Sequence, residues 1–429
     1  MKNQPKSFIP VVSILLTVGL SCSSSNDRTN TGELIYWTAP SVEVSRFDRA
    51  IVEEWHVSHP NDPLKWGTIP AGSTSEEVIL TSIATGTNPD ICTNIFAGFA
   101  AQLADADAIV ALDTLPGFWQ MAEKRKMTDN IKNNWLYKGH VYVLPIYISP
   151  RMIWYNKKML DELGVTKLPR TYSEFLELAR KAFIPGKRYG LWIDIPPVWY
   201  KRWWDYITLY CAASGGKGYL DIENKKAFLE NEAGLAVTGF FHRIFAEGLT
   251  PKFKITDGFE KEVFLAVLKD AGAAVKSKNL YPGLEYVIAP LLVPDFYPPD
   301  QPVYTLAEQK GMVLFNNSLK KKQAWEFMQW FFTEEHALQW MEITNYLPAR
   351  DDLMTNAAFN DYFEHKPEMK IYAMATRHTV PLALTPQTVQ IQTILNRELW
   401  QPIVYGTKTP AEAAHDANKT IERIMKAGK

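Results

Sequence analysis

Two halves of the chain meet at one stretch, Gly139-His140-Val141-Tyr142-Val143-Leu144-Pro145-Ile146-Tyr147-Ile148-Ser149-Pro150-Arg151-Met152-Ile153-Trp154-Tyr155-Asn156-Lys157-Lys158. Val141 to Leu144 is apolar and rich in β-branched and aromatic residues, which is typical of a strand. Pro145 cannot donate a backbone hydrogen bond, so we expect the chain to leave its sheet there. The apolar pattern resumes after Ser149-Pro150, which predicts a strand that leaves one lobe, crosses a gap and enters another.

The length of the chain also predicts two domains, because 429 residues exceed what one hydrophobic core usually holds. The formal net charge is −1, and this gives no electrostatic reason to expect nucleic acid as a partner. Cys92 and Cys211 lie in different halves of the chain. We expect two unpaired, buried thiols there, although an exported protein could form a disulfide.

The N-terminus resembles a bacterial lipoprotein signal. Lys2 and Lys6 precede an apolar run, Phe8 to Leu20, that is too short to span a bilayer comfortably and ends just before Cys22. The resemblance implies a signal peptide over residues 1–21, a lipid anchor (palmitate) on Cys22 and a flexible tether over residues 22–32, so that the protein sits on the periplasmic side of the membrane. Gly19 stands where such signals usually carry Leu, which leaves plain secretion or an uncleaved anchor as alternatives.

After the tether, strand patterns alternate with helix patterns. The runs Leu34 to Trp37, Leu64 to Ile69 and Ile91 to Phe96 predict strands with helices between them, and hence a largely parallel sheet covered on both sides. In such sheets ligands bind at the carboxyl ends of the strands. Residues that follow or end these strands are therefore candidate site residues: Trp37, Ser41, Ser73, Asn94 and Phe96.

Several phrases resemble the extracellular solute-binding proteins of ABC importers, the group that includes maltose-binding and glycerol-3-phosphate-binding proteins. The first are Gly139-x-Val141-Tyr142-x-Leu144-Pro145 and Trp154-Tyr155-Asn156-Lys157. The others occur in the family's order along the chain: Ala84 to Ile91, Leu112-Asp113, Ala289-Pro290-Leu291, Asn345 to Arg350 and Thr409 to Glu412. The resemblance thus extends from about Leu34 to the C-terminus.

This resemblance implies an α/β protein with the two-lobed, type II-like periplasmic-binding-protein fold, in which each lobe is a mostly parallel sheet flanked by helices. The expected N-terminal lobe comprises residues 33–144 and 312–346, and the expected C-terminal lobe comprises residues 147–306 and 350–429. The resemblance also implies a monomer that closes around a solute and delivers it to the transmembrane subunits of a permease, which a separate ATPase drives.

The segment from Tyr189 to Tyr210 is unusually aromatic and suggests the kind of solute. A sugar ring has an apolar face and a rim of hydroxyls, so its site needs a flat aromatic surface with polar side chains at the edge. Trp199, Trp203 and Trp204 supply the aromatic surface, and Arg202 and Asp205 beside them supply the polar groups. The alternative is that these tryptophans form the core of the second lobe. We expect at least one of the three to face the cleft.

Other candidates lie near the predicted crossings. Tyr147, Ser149, Tyr346 and Arg350 could contact the solute or could pack within the hinge. Arg350, together with Arg202, leaves open an anionic solute such as a glycerophosphodiester, since a guanidinium suits phosphate.

Catalytic motifs are missing from the sequence, which contains no Gly-x-Ser-x-Gly, His-Glu-x-x-His or P-loop phrase. His56 and His59 have metal-ligand spacing, but no Cys or carboxylate cluster accompanies them and we expect neither a metal nor a cofactor. Two functional alternatives stay open: a carbohydrate-active enzyme, whose paired carboxyl groups the sequence alone cannot exclude, and a sensor or adhesin lipoprotein.

Overall fold

The computed structural model describes residues 32–72, 74–193 and 199–427, and for residues 199–203 and 275 it describes the backbone alone. The predicted signal peptide, Cys22 and Ser73 therefore lie outside the described residues. None of the described helices is long and apolar enough to cross a membrane.

The strands are β1 (Leu34–Thr38), β2 (Leu64–Thr68), β3 (Ile91–Phe96), β4 (Leu136–Tyr137), β5 (His140–Val141), β6 (Leu144–Pro150), β7 (Met152–Asn156), β8 (Tyr189–Trp192), β9 (Leu220–Asp221), β10 (Lys226–Ala227), β11 (Phe264–Lys269), β12 (Tyr286–Ala289), β13 (Thr305–Leu314), β14 (Leu347–Pro348) and β15 (Thr379–Val380).

The α-helices are α1 (Val42–Ser58), α2 (Ser75–Thr85), α3 (Ala97–Asp105), α4 (Phe118–Lys124), α5 (Thr128–Asn134), α6 (Lys157–Glu162), α7 (Tyr172–Ala182), α8 (Trp199–Ala213), α9 (Glu232–Ala246), α10 (Gly272–Leu280), α11 (Lys321–Phe331), α12 (Glu334–Thr344), α13 (Asn360–His365), α14 (Pro367–Ala375), α15 (Thr388–Ile394), α16 (Gln401–Tyr405) and α17 (Pro410–Ala427). A π-helical stretch, Leu395–Trp400, joins α15 to α16.

Two separate sheets form the centres of two lobes, which confirms the α/β class. The first sheet has the order β14-β6-β13-β3-β1-β2, with β15 beside β13, and the second has the order β12-β7-β11-β8. Both sheets are mixed rather than mostly parallel. In the first sheet β1 runs parallel to β2 and β3, whereas β13 runs antiparallel to β3 and β6. The direction differs because β13 returns from the second lobe and inserts beside β3.

The crossing between the lobes lies further along the chain than Pro145, so the expectation that the strand ends at this proline is wrong. β6 continues to Pro150 between β13 and β14, and its register shifts where Pro145 faces Gly311. A bulge accommodates a proline because it interrupts the ladder hydrogen bonds that proline cannot make. At residue 311 a Cβ would lie 2.3 Å from the carbonyl oxygen of Leu144, so the close approach requires glycine. The chain leaves the first sheet at Arg151.

Two helices begin with capping residues that their local sequence specifies. Thr171 and Glu174 form a complete capping box at the start of α7, and Thr409 and Glu412 exchange the equivalent bonds before α17. Helix α2 begins at Ser75, and the side chain of Thr74 caps it by accepting from the N–H of Glu77. Cys92 and Cys211 are both unpaired and buried, as expected.

Candidate solute-binding cleft

A cavity of about 1140 Å³ lies between the two lobes. Parallel strands of both sheets point their carboxyl ends toward it: Thr68 ends β2, Phe96 ends β3 and Trp192 ends β8. Further parts of the wall come from residues 69–72 and 74–80 around the start of α2, from Glu308 and Lys310 on β13, and from residues 382–392 around α15. The geometry thus agrees with the rule that open α/β sheets bind ligands beyond their carboxyl strand ends.

Asn94 anchors the polar part of the first-lobe wall. Its backbone has φ 67°, a left-handed conformation that asparagine tolerates better than most residues. The side-chain amide donates to the hydroxyl of Ser75 at 3.3 Å and accepts from the ammonium of Lys310 at 2.8 Å. Lys310 in turn pairs with the carboxylate of Glu308 at 3.2 Å. The wall therefore presents a connected polar network rather than a free cation.

The second-lobe wall combines indole rings with one ion pair. Trp192 donates its indole N–H to the carbonyl of Ile255 at 3.2 Å, which leaves its ring beside the cavity. The guanidinium of Arg151 lies 3.3 Å from the carboxylate of Asp205 and 5.9 Å from the ring centroid of Trp204. Both walls thus carry aromatic surface, Phe96 on one side and the two tryptophans on the other.

Acidic side chains outnumber basic ones around the cleft. The described lining includes four carboxylates, Glu76, Glu77, Asp205 and Glu308, and two cations, Arg151 and Lys310. Both cations already have carboxylate partners. Neutral hydrogen-bonding groups complete the rim: Thr68, Thr74, Ser75, Asn94, Gln102, Gln390 and Gln392. This lining suits a neutral polyhydroxyl solute better than an anion.

The family model for "Bacterial extracellular solute-binding protein" matches residues 39–337. The chain belongs to this family. Members of it are binding components of ABC importers, which accords with a cleft between two lobes.

Known relatives of this solute-binding protein extend over almost its whole length. An arabinooligosaccharide-binding protein of Halalkalibacterium halodurans is 21% identical over 93% of this chain and 91% of its own. An uncharacterised protein of Listeria monocytogenes EGD-e is 29% identical in its crystal structure, with a TM-score of 0.80 over 92% of this chain and 99% of its own.

Two further solved structures have the same fold. The cyclic α-maltosyl-1,6-maltose binding protein of Arthrobacter globiformis is 19% identical, with a TM-score of 0.76 over 92% of this chain and 99% of its own. UgpB of Mycobacterium tuberculosis, solved with glycerophosphocholine, is 17% identical, with a TM-score of 0.78 and the same coverage. At these identities the likeness establishes the two-lobed fold and leaves the solute open.

The structure places Asn94, Phe96 and Trp204 on the cleft wall of this solute-binding protein. Trp37 is half-buried within β1, and Ser41 caps α1 by accepting from the N–H of Val44. Neither of these two residues lines the cavity. The side chains of Trp199 and Trp203 lie outside the described residues.

The candidates near the crossings pack together beside the hinge. Tyr147 and Tyr346 stack with ring centroids 4.8 Å apart, and Tyr147 also stacks on Trp340. The nearby Asp270 carboxylate, helped by burial, raises the pKa of Tyr346. Ser149 is 1% exposed, and its hydroxyl makes no hydrogen bond within the described residues. These contacts correspond to the hinge-packing alternative.

Arg350 lies away from the large cleft, beside a separate cavity of about 30 Å³. Its guanidinium donates to both carboxylate oxygens of Asp352, at 2.9 and 2.8 Å, and its side chain is 6% exposed. The charge that suggested an anionic solute is thus neutralised within the protein. His56 and His59 likewise have local roles: His56 bonds the carbonyl of Leu64, and His59 stacks on Trp55.

Several lining residues were absent from the sequence-based prediction. Arg151 stood in the quoted stretch but was not a candidate, because its pairing with Asp205, 54 positions further along the chain, cannot be read from spacing. Trp192 was visible only as one of the aromatic residues between Tyr189 and Tyr210. The segment 382–392 carried no signal, because its place in the wall depends on how α15 packs against α8 and α17.

Proposed function

We propose that this solute-binding protein captures a neutral oligosaccharide in the cleft and delivers it to the transmembrane subunits of an ABC permease that a separate ATPase drives. The observation that carries the proposal is the pair of aromatic walls. Phe96 from the first lobe faces the same cavity as Trp192 and Trp204 from the second. Aromatic faces on both sides suit the two apolar faces of sugar rings, and amides at the rim suit the hydroxyls.

The size of the cleft favours an oligosaccharide over a single sugar. Its volume, about 1140 Å³, exceeds the roughly 300–1000 Å³ of typical small-ligand pockets. Two similar proteins are named for oligosaccharides, the arabinooligosaccharide-binding protein and the cyclic α-maltosyl-1,6-maltose binding protein. A solute of that kind matches the size of this cleft. Contacts from both lobes also provide the differential affinity for a closed state that hinge closure requires.

A glycerophosphodiester is the alternative, and UgpB of Mycobacterium tuberculosis was solved with such a molecule. The electrostatics of this cleft oppose it. A phosphate would face the carboxylates of Glu76, Glu77 and Glu308, and the ammonium of Lys310 is already paired. Transferring an anion into a partly dry cleft without an available cation costs several kcal/mol.

We further propose that the mature protein is a monomer held at the periplasmic face of the membrane by a lipid on Cys22. The proposed lobes are residues 33–144 with 312–346 and residues 147–306 with 350–429. Continuous strands β6 and β13 extend through these boundaries to Pro150 and Thr305, so the flexible points of the hinge lie close to Arg151 and Thr305.

A panel of solutes tests the proposal through ligand-induced stabilisation. We expect maltotriose or arabinotriose to raise the melting temperature, glucose to do so less, and glycerophosphocholine to leave it unchanged. Isothermal titration then measures the affinity, and chromatography of the incubated sugar should show it uncleaved. Stabilisation by glycerophosphocholine alone would establish the anionic alternative, sugar products would establish an enzyme, and a flat panel would favour a sensor or adhesin.

The two lobes approach each other closely where α3 meets α15. Helix α3 of the first lobe contacts α15, which packs on α8 and α17 of the second. At Gly98 an added Cβ would lie 2.4 Å from the Cβ of Thr388 and 2.1 Å from its hydroxyl oxygen. Only glycine allows α3 and α15 to meet at this distance.

Gly98→Val should therefore act as a wedge that holds the lobes apart. We expect a larger radius of gyration in solution scattering and a loss of sugar affinity of about tenfold or more, the effect of about 1.4 kcal/mol or more against the closed state. Adding Thr388→Gly, which removes the opposing side chain, should recover much of both. If Gly98→Val has the radius of gyration and the sugar affinity of the wild-type protein, the contact does not have this role.

A further inference from the structure

Arg151 occupies the one position between the two sheets at this crossing, since β6 ends at Pro150 and β7 begins at Met152. Its backbone is held on both sides by Thr305, the first residue of β13. The N–H of Arg151 donates to the hydroxyl of Thr305 at 3.2 Å, and that hydroxyl lies 2.6 Å from the Arg151 carbonyl. The arginine is therefore tied to two of the strands that join the lobes.

The side chain of Arg151 extends from this crossing toward the cleft. Its terminal nitrogen donates to the carbonyl of Leu268 on β11 at 2.9 Å and to the carboxylate of Asp205 on α8 at 3.3 Å. Asp205 is 4% exposed, and a buried carboxylate of this kind is tolerated only with a partner. The carbonyl of Leu268 and the carboxylate of Asp205 thus hold the guanidinium in one place.

Trp204 precedes Asp205 on α8, and its ring lies under the same guanidinium at 5.9 Å. An arginine over an indole face is attractive, and the planar fork lets one side chain bond two acceptors while it stacks. The pairing with Asp205 restrains the rotation of α8, and the stacking restrains the ring. One face of Trp204 is thereby occupied by Arg151, and the indole also lines the cleft.

We propose that Arg151 is a positioning residue that orients the Trp204 indole for stacking on a sugar ring. The sugar-binding part of this inference rests on the proposed function, whereas the orientation of the ring does not.

The orientation is tested without any sugar by fluorine NMR of the protein labelled with 5-fluorotryptophan. Substituting Trp204→Phe removes one signal among the 14 tryptophans and so assigns it. We expect Arg151→Lys to shift this signal and Arg151→Ala to broaden or split it, with Asp205→Asn giving an intermediate change. Arg49→Lys is the matched control, since Arg49 lies 5.6 Å over Trp66 on the outside of the first lobe. An unchanged Trp204 signal in both Arg151 variants would overturn the inference.

A double-mutant cycle tests the link to binding, with whichever of maltotriose and arabinotriose stabilises the wild-type protein more. In the wild-type background, Arg151→Lys should weaken sugar affinity about tenfold. In the Trp204→Ala background, the same substitution should change the affinity less than about twofold, because the indole that Arg151 orients is absent. Equal losses in both backgrounds would mean that Arg151 acts independently of the indole, and would overturn the inference. If neither trisaccharide binds, the proposed function fails, and the fluorine spectra still decide whether Arg151 orients Trp204.

Discussion

Replacing Trp204 by alanine is expected to weaken sugar binding by about 2–3 kcal/mol, the usual loss at a buried aromatic hot spot, which is roughly 30- to 150-fold in affinity. Trp204 presents its indole to the cleft from the first turns of α8, and Phe96 faces the same cavity from β3. Truncation removes a flat apolar surface of the kind that buries one face of a sugar ring. Isothermal titration with maltotriose or arabinotriose measures the loss.

Two further variants test whether the loss of affinity in Trp204→Ala comes from the aromatic face in the cleft. Trp204→Phe keeps a smaller aromatic face and should lose only part of the affinity. Trp119→Ala is the matched control, because Trp119 on α4 also lies beside a cation, the ammonium of Lys132 at 5.4 Å, but does not line the cleft. Unchanged affinity in Trp204→Ala would remove the aromatic stacking argument, while leaving the cleft as a binding site.

Asp48→Asn is expected to stabilise the protein at pH 8 and to have no such benefit near pH 4. Asp48 is 1% exposed on α1, and the hydroxyl of Tyr36 donates to its Oδ1 at 3.1 Å. Its Oδ2 has no hydrogen bond of good geometry among the described residues, although the nearby hydroxyl of Thr38 acts to lower the pKa of this carboxyl. Burial raises the pKa of the Asp48 carboxyl to about 7, and hydrogen bonding opposes only part of that rise.

The direction of the pH dependence follows from whether Asp48 carries a proton in the folded chain and in the unfolded chain. Near pH 3 the carboxyl is protonated in both the folded and the unfolded chain. Between pH 4 and about 7 only the folded chain keeps the proton of Asp48, so the free energy of unfolding falls as the pH rises. Above this range the loss is complete and amounts to about 4 kcal/mol as an upper bound.

Asparagine has no such proton to lose, so the stability of Asp48→Asn should vary less between pH 4 and pH 8. We expect a gain of about 1–4 kcal/mol at pH 8, reduced because the new amide lacks an acceptor where Oδ2 is unpaired. Urea unfolding at a series of pH values measures it. Asp361→Asn, at an exposed position on α13, should leave the pH dependence as it is. Parallel curves for wild type and Asp48→Asn would contradict a raised pKa at residue 48.

The two predictions show which features of the protein the local sequence pattern reveals and which it does not. Trp204 was a candidate from the sequence alone, since a sugar site needs an aromatic surface with polar side chains beside it, although core packing was the alternative. Asp48 was not, because its burial depends on helix α1 packing over β1, and no residue near it in sequence reveals that packing. The same holds for Arg350, which looked suited to an anion until Asp352 and Glu334 were found beside its guanidinium.

The sequence by itself determined the alternation of strands and helices, the caps at Thr171 and Thr409, and the polar and aromatic residues that end β3. These features depend on hydrogen bonds and periodicities within a few residues, which the order of amino acids specifies directly. Only the tertiary structure decided that the chain passes Pro145 on a bulge, that Arg151 meets Asp205, and that Gly98 meets Thr388. Those contacts join residues distant along the chain, so they exist only once both sheets have formed and packed.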